Sequence, residues 1–568
     1  MKIFFGLAVL ASVAFADITF NIVGYPSSSA GAFGVSIGGK ITKLSSNETS
    51  FPTWSGTVPS TDNNVEYSYV ELSAAGNPVK TETFTRKLND TKATNTLNEF
   101  FERLVTVWDL PKIPYTHLAT YPSKTKAFKQ NQIATIHVTA PAAQISELLA
   151  NPENDKSYYV DFRFINSKTI HSVRNITLKT SGKSSKAHSK QAFKFKFDTN
   201  YNQTFFHRPN IKLRSMVMDP TMMREKLYID MLNSAGIPIQ QGAWVRLVIN
   251  NEPYGLYLMV DDIKKSFLKQ TRGSLVQGNA FIKKADLMYE GPTSKDYDPD
   301  CYVSQNLGNN PADDPLKELI SLMSDLKSFD PATPNAVQFW NETRLDLDGV
   351  LRNMALEYLG AAFDNYWMSA SNYFIYKNPT MGPTGKWQWL PTDFDGTFGN
   401  GSPISTVDTY KNWYDFKDGD RPLVSKLILQ NKDINALFEQ VLKELVSTAF
   451  KPEALVPRIQ TYNKMLSLDA QWDISLIRKS PGINNGLTFD DFNNNLNISD
   501  YVAQELGFTI PAGLADRVAP PAKGGNEDDN ENDSSESDKD NNSKNNAGSR
   551  AVSGGLAVLA MIASVLLA

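Results

Sequence analysis

Hydrophobic positions in the first part of the chain recur with period two, in short runs. Ile18-Thr19-Phe20-Asn21-Ile22-Val23 alternates until Gly24, Pro26 and Ser27 to Ser29 break it; Tyr67 to Leu72 alternates again before Ala75-Gly76-Asn77-Pro78. Period two puts successive side chains on opposite faces of a strand, so residues 17–87 read as a small β-sandwich. Trp54 and Tyr69 have two readings there, an aromatic sugar platform or core packing, and packing is the commoner role. From residue 88 to 515 the segments lengthen, and no linker-like stretch or repeat interrupts them. This part is expected to form one large α+β domain of two lobes.

Within it, Phe193-Lys194-Phe195-Lys196-Phe197 places three phenylalanines on one strand face and two lysines on the other. Asp219-Pro220-Thr221 reads as a cap before a helix from Met222 to Leu232, and Gly236 is placed to stop it. Val245–Ile249 and Tyr254–Val260 flank the turn residues Asn250-Asn251-Glu252-Pro253, a strong hairpin signal. Further on, an apolar helix from Val350 to Phe363 runs into Asp364-Asn365. Two strand-like runs follow, Asn372–Tyr376 and Trp387–Leu390, and the second empties into Asp393-Phe394-Asp395-Gly396-Thr397-Phe398-Gly399.

The two ends change the picture. Lys2 precedes an apolar run from Ile3 to Phe15 that closes on Ala14-Phe15-Ala16, which predicts a cleaved signal peptide over residues 1–16. At the other end, Leu556–Ala568 is uncharged and apolar, and shorter than the ~20 residues a helix needs to cross a bilayer. Small residues at Asn546, Ala547 and Gly548 precede it, so residues 551–568 read as a glycosylphosphatidylinositol signal with Asn546 as attachment point. Residues 516–550 are rich in Asn, Asp, Glu, Ser and Lys, a composition unable to bury enough apolar surface to fold, and are expected to form a disordered stalk. Sequons at Asn47, Asn89, Asn175, Asn202, Asn341 and Asn497 fit a secreted glycoprotein on the outer leaflet of the plasma membrane. A single cysteine, Cys301, excludes an intramolecular disulfide; a net charge of −4 without a basic stripe gives no reason to expect nucleic acid as a partner.

Carboxylates at strand ends with an asparagine between them suit a magnesium–nucleotide site, where hard oxygens hold the metal and another Asp orients the attacking hydroxyl. Acidic turns beside glycine are also common as structural caps. Lys190 to Phe197, Arg214 with Asp219-Pro220-Thr221, Arg224-Glu225-Lys226-Leu227, Tyr254-Gly255-Leu256-Tyr257 and the closing Asp393-to-Gly399 motif together resemble the spore-coat protein H (CotH) family, over about Thr85 to Leu506. That resemblance implies an atypical protein-kinase fold with magnesium and ATP as ligands. It implies Lys194 or Lys196 on the phosphates, Glu225 paired with that lysine, Asp364 in the base-like position, Asn372 and Asp393 on the metal, and Asp395 as a further ligand. The chain has neither a G-x-G-x-x-G loop nor a His-Arg-Asp motif, which leaves a pseudokinase scaffold open.

Bacterial members of the family are described as kinases of spore-coat proteins. Fungal members are lipid-anchored surface proteins, some of them invasins that bind an endoplasmic-reticulum chaperone exposed on host cells. A binding role has its own candidate, the Tyr- and Asp-rich loop Lys283–Pro311 with Tyr289, Asp296, Tyr297, Asp298, Asp300 and Tyr302. Long irregular loops inside compact domains are usually functional or disordered, and Tyr supplies rigid contact area. The loop does not reproduce the fungal invasin motif. Two functions remain open: a surface adhesin or invasin displaying this loop, and a secreted magnesium- and ATP-dependent kinase of surface or spore-coat proteins.

Overall fold

The computed structural model describes residues 17–494 apart from 60–64, 89–93, 115–124, 265–273, 280–283, 306–313, 402–409 and 411–419. The signal segment, the stalk, the C-terminal tail, and Asn89, Asn497 and Asn546 lie outside the described residues. No helix among the described residues is long and apolar enough to cross a membrane.

The early alternation becomes eight short strands: β1 (Ile18–Val23), β2 (Ala32–Ile37), β3 (Lys40–Lys43), β4 (Thr53–Val58), β5 (Val65–Leu72), β6 (Pro78–Thr81), β7 (Arg86–Leu88) and β8 (Asn95–Phe100). They form a sheet ordered β4-β1-β8 and a second one built on β2 and β5. Ile18, Phe20 and Ile22 meet Val35, Tyr67 and Tyr69 in one core. Trp54 and Tyr69 are buried in that core, so packing is their role, and the Trp54 indole N–H donates to the Gly24 carbonyl at 3.1 Å. Val23 and Phe100 cluster with Ile165, and the Asn98 backbone N–H donates to the Ser167 carbonyl, which fastens these sheets to the next part of the chain.

That next part is a closed barrel of β9 (Ala134–Thr139), β10 (Tyr158–Ile165), β11 (Ile170–Ser181), β12 (Ala192–Lys196), β13 (Asn210–Arg214), β14 (Gly242–Ile249) and β15 (Glu252–Asp261). The predicted hairpin is β14–β15, turned by Asn250 and Asn251 at φ 51° and 68°. Asn tolerates this left-handed region better than most residues, as a two-residue hairpin turn requires. Alternation sorts the side chains of this hairpin into two cores. Val245, Leu247, Tyr257 and Met259 join one core with the phenylalanines of β12, whereas Trp244, Leu256 and Leu258 pack in the other, with the helices. Closure comes from β9, antiparallel to β10 and parallel to β14.

Helices dominate the remainder: α1 (Ala142–Ala150), α2 (Arg224–Ser234), α3 (Lys317–Ser328), α4 (Ala336–Thr343), α5 (Leu347–Leu359), α6 (Tyr366–Ser369), α7 (Lys432–Ser447), α8 (Pro452–Ser475) and α9 (Phe489–Asn494). A small sheet, ordered β17 (Tyr302–Ser304), β16 (Leu275–Gly278), β18 (Tyr373–Asn378) and β19 (Lys386–Pro391), completes an α+β fold. Every residue of α2 is buried, charged ones included. The cap expectation is met from outside the helix: Asp219 accepts the Arg224 backbone N–H at 2.8 Å and its guanidinium at 2.6 Å.

Behind α2, on α5, Glu357 is buried, and no cation contacts it among the described residues. It accepts from the Trp367 N–H and from Asn353 Nδ2, each at 2.8 Å. Burial pushes its carboxyl up to about 8, from an ordinary 4.5. A carboxyl whose folded pKa is raised contributes fully below the unfolded value and loses that contribution as pH climbs to the folded one. Glu357→Gln should therefore match the parent near pH 4.5 and exceed it by a few kcal/mol above pH 8, on the order of 1.4 kcal/mol per unit of pKa difference. Urea unfolding from pH 4.5 to 9 measures this. A constant difference across that range would show that Glu357 ionises no less readily when folded.

Candidate functional site

Antiparallel pairing builds the site. Tyr373 of β18 lies opposite Pro391 of β19, so the residues before one strand and after the other share an edge. Asn372 enters there and Asp393 leaves, at φ 56° and 62° respectively, left-handed backbone for two non-glycine residues. Such conformations persist only where the surroundings hold them. Asn365 does part of this, its Nδ2 donating to the carbonyls of Asn372 (3.2 Å) and Thr392 (2.9 Å). In the turn that follows Asp393, Phe394 and Phe398 are buried against Tyr228 of α2, with ring centroids 4.8 and 5.8 Å away. The Asp393 and Asp395 side chains, on either side of Phe394, stay 38% and 30% exposed. Asp364, between α5 and α6, faces them; Asn372 Nδ2 donates to its carboxylate at 2.8 Å.

Arg214, the last residue of β13, pairs with three acids here. Its Nε meets Glu225 of α2 at 2.5 Å, and its Nη2 contacts Asp393 and lies 3.5 Å from Asp395. The structure thus corrects the expected lysine–Glu225 pair. Lys194 instead bonds Asp262 at 2.5 Å, a carboxylate shared with Lys212 at 3.0 Å, and Lys196 is solvent-exposed. Arg214 is suited to the place because its planar fork can span several carboxylates, whereas an ammonium is a point charge. The signal was present in Ile211-Lys212-Leu213-Arg214, which repeats the alternation of the Phe-Lys strand beside it.

Arg214 does not neutralise all these acids, though Lys284 also attracts Asp364 and Lys212 attracts Asp393. Burial raises Glu225 to about 7 despite Arg214. In the Asp393–Asp395 pair, burial and then the neighbouring Asp393 push Asp395 up. Burial opposes ionisation of Asp393 too, but Arg214 outweighs it and holds that carboxyl below its usual value. Surrounding protein mass and then Asp393 raise Asp364, an effect that solvent on its open side screens. Among the described residues, no three His, Cys, Asp or Glu side chains converge to hold a metal by themselves. Magnesium bound with a nucleotide asks for less, typically one or two carboxylates with phosphate and water filling the remaining positions. Asp393 and Asp395 offer that pair, with Asn372 at the same hairpin end, so the donor set fits.

Residues 178–504 match the CotH kinase protein family. The chain belongs to that family. Among curated proteins it is 30% identical to invasin CotH3 of Rhizopus delemar over 85% of this chain and 79% of that one. It is likewise 30% identical to invasin CotH2 of the same fungus, over 71% and 69% of the two chains. Inner spore coat protein H of Bacillus subtilis is more distant, at 24% identity over 45% of this chain and 67% of the relative.

In the second predicted site of this CotH-family chain, the Tyr/Asp loop, residues 284–305 are held from within, and residues 283 and 306–311 lie outside the described residues. Tyr297 and Tyr302 are only 4% and 6% exposed, which corrects their expected role as contact anchors. The Tyr297 hydroxyl donates to the Gly291 carbonyl at 3.0 Å, and that of Tyr302 accepts the Leu287 N–H at 2.8 Å. Tyrosine hydroxyls can satisfy backbone groups that a folded-in loop removes from water. Tyr289 is half-buried with the Lys327 ammonium 4.8 Å from its ring centroid. Met288, Asp296 and Asp300 are exposed, Asp298 half-exposed, and Cys301 is buried. Of the sequons, Asn47, Asn175 and Asn202 are exposed and Asn341 is half-buried.

Proposed function

We propose that this chain is a cell-surface protein of the invasin type, promoting attachment to host cells and uptake by them. The observation that carries the proposal is the 30% identity to two Rhizopus invasins along most of each chain. The apolar tail after Asn546 and the aromatic-free segment before it support a lipid anchor and a stalk. Family resemblance makes the receptor a chaperone exposed on host cells. The outward surface of the loop is then Met288, Tyr289, Asp296, Asp298 and Asp300, with Tyr297 and Tyr302 as its internal supports. Displaying the chain on a non-adherent cell should increase attachment to endothelial or epithelial monolayers. Replacing Met288 and Tyr289 by Ser should raise the dissociation rate, and neutralising the three acids should mainly slow association. Unchanged attachment in both variants, at equal surface expression, would move the contact off this loop.

The second reading is phosphoryl transfer within a kinase-like two-lobed fold, favoured by the charge-unbalanced carboxylates at the edge of β18 and β19. Asp393 and Asp395 would hold magnesium, which supplies charge neutralisation of the phosphates when bound, and Asp364 would orient a hydroxyl nucleophile. Magnesium-dependent binding of ATP by the full chain is its direct test.

A further inference from the structure

We propose that Arg214 is an exchangeable counter-ion: a divalent cation displaces it from Asp393 and Asp395, and the released guanidinium edge binds a phosphate oxygen of the nucleotide. The inference rests on the nucleotide reading above. The Nη2 of Arg214 lies against oxygens of both Asp393 and Asp395, the carboxylates a cation would need, so arginine and cation exclude one another there. Nε, which adjoins Nη2 on the side edge of the same guanidinium, is held by Glu225 at 2.5 Å. Glu225 belongs to α2, which is buried along its whole length, so this tether is fixed. With Nε held, the terminal Nη1–Nη2 edge is left to turn toward a ligand, and a side chain 25% exposed is within reach of solvent.

The neighbouring cations do not offer the same exchange. Lys194 and Lys212 share Asp262, whose side chain is wholly buried, and a cation arriving at Asp393 does nothing to release them. A guanidinium also matches phosphate with paired N–H donors in a fixed fork, which an ammonium lacks. Before exchange, one arginine serves Glu225, Asp393 and Asp395. Afterwards the cation neutralises the two aspartates, and Arg214 retains Glu225 through Nε while its terminal Nη edge meets phosphate.

The consequence is a reciprocal linkage in which each ligand raises affinity for the other by the same factor. Manganese, as a magnesium probe, would be titrated into the full-length chain with and without a non-hydrolysable ATP analogue, using electron paramagnetic resonance to count free ion. The wild type should bind each ligand on the order of tenfold tighter in the presence of the other. Arg214→Gln removes the competitor: manganese alone should bind several-fold tighter, the analogue more weakly, and the coupling should fall to what the cation's own attraction for the phosphates supplies. Arg214→Lys, a milder change should the Gln variant misfold, should retain only part of the coupling, because one ammonium does not bridge as a fork does. Unchanged manganese affinity or undiminished coupling in Arg214→Gln would overturn the exchange and leave the nucleotide reading standing. A wild-type chain that binds neither ligand would overturn both.

Discussion

Asp230→Ala is expected to destabilise the chain by about 3–5 kcal/mol, the cost of stripping a buried charge network of the carboxylate that its two cations share. Asp230, on α2, is bonded by Lys226 one turn earlier, by Arg458 at 2.9 Å and by the Tyr462 hydroxyl at 2.6 Å. Each of these side chains is buried. Burial lowers Lys226 to about 8 from an ordinary 10.5, even with Asp230 beside it. Without Asp230 it should fall further and shed its proton on folding. A lysine whose folded pKa is depressed penalises the folded state while it must stay charged, and releases the penalty as pH rises. The loss should therefore be largest near pH 6 and shrink toward pH 10, as read by urea midpoints. A loss that stays constant with pH would place the damage in packing rather than charge. Since α2 carries Glu225 and underlies Phe394 through Tyr228, this network also sets the position of the candidate site.

Legibility of the fold followed the range of the interactions. The Phe-Lys strand, the Asn-Asn hairpin and the helix after Asp219 were readable because period, turn chemistry and capping are local. Barrel closure was not readable, since β9 meets β14 across more than a hundred residues and no local pattern encodes a parallel pairing at that distance. The charged face of α2 misleads for a related reason: Arg224, Lys226 and Asp230 look like solvated positions until Asp219, Arg458 and Tyr462 are brought to them. At the site, Asp364, Asn372, Asp393 and Asp395 were nameable from strand ends, and the structure does bring them together. Arg214 was visible as a motif residue but not as their counter-ion, because Asp393 lies 179 positions away. Tyr297 and Tyr302 mark the opposite limit, for a tyrosine-rich loop reads alike whether its rings face partner or core.

Asp393→Ala and Asp364→Asn should separate ligand binding from chemistry. Asp393 is the carboxylate that Arg214 holds ionised, and its side chain remains open to solvent. Its removal takes a hard oxygen from any cation bound there and leaves Arg214 nearer the remaining acids. Magnesium-dependent nucleotide binding, read as a thermal shift of the full chain, should be lost. Asp364 contacts Asn372 rather than Arg214, so Asp364→Asn should keep that shift nearly intact while losing 10²–10⁴-fold in phosphoryl transfer, roughly the worth of a positioned base. Equal loss of binding in the two variants would make Asp364 a ligand and leave the nucleophile without an oriented partner. The same variants, displayed on cells, bear on the adhesive role. Met288 and Tyr289 lie on a different segment from the carboxylates, so attachment should survive both substitutions. If Asp393→Ala instead abolishes attachment while the protein still reaches the surface, adhesion depends on the acidic site itself, and the two readings become one function.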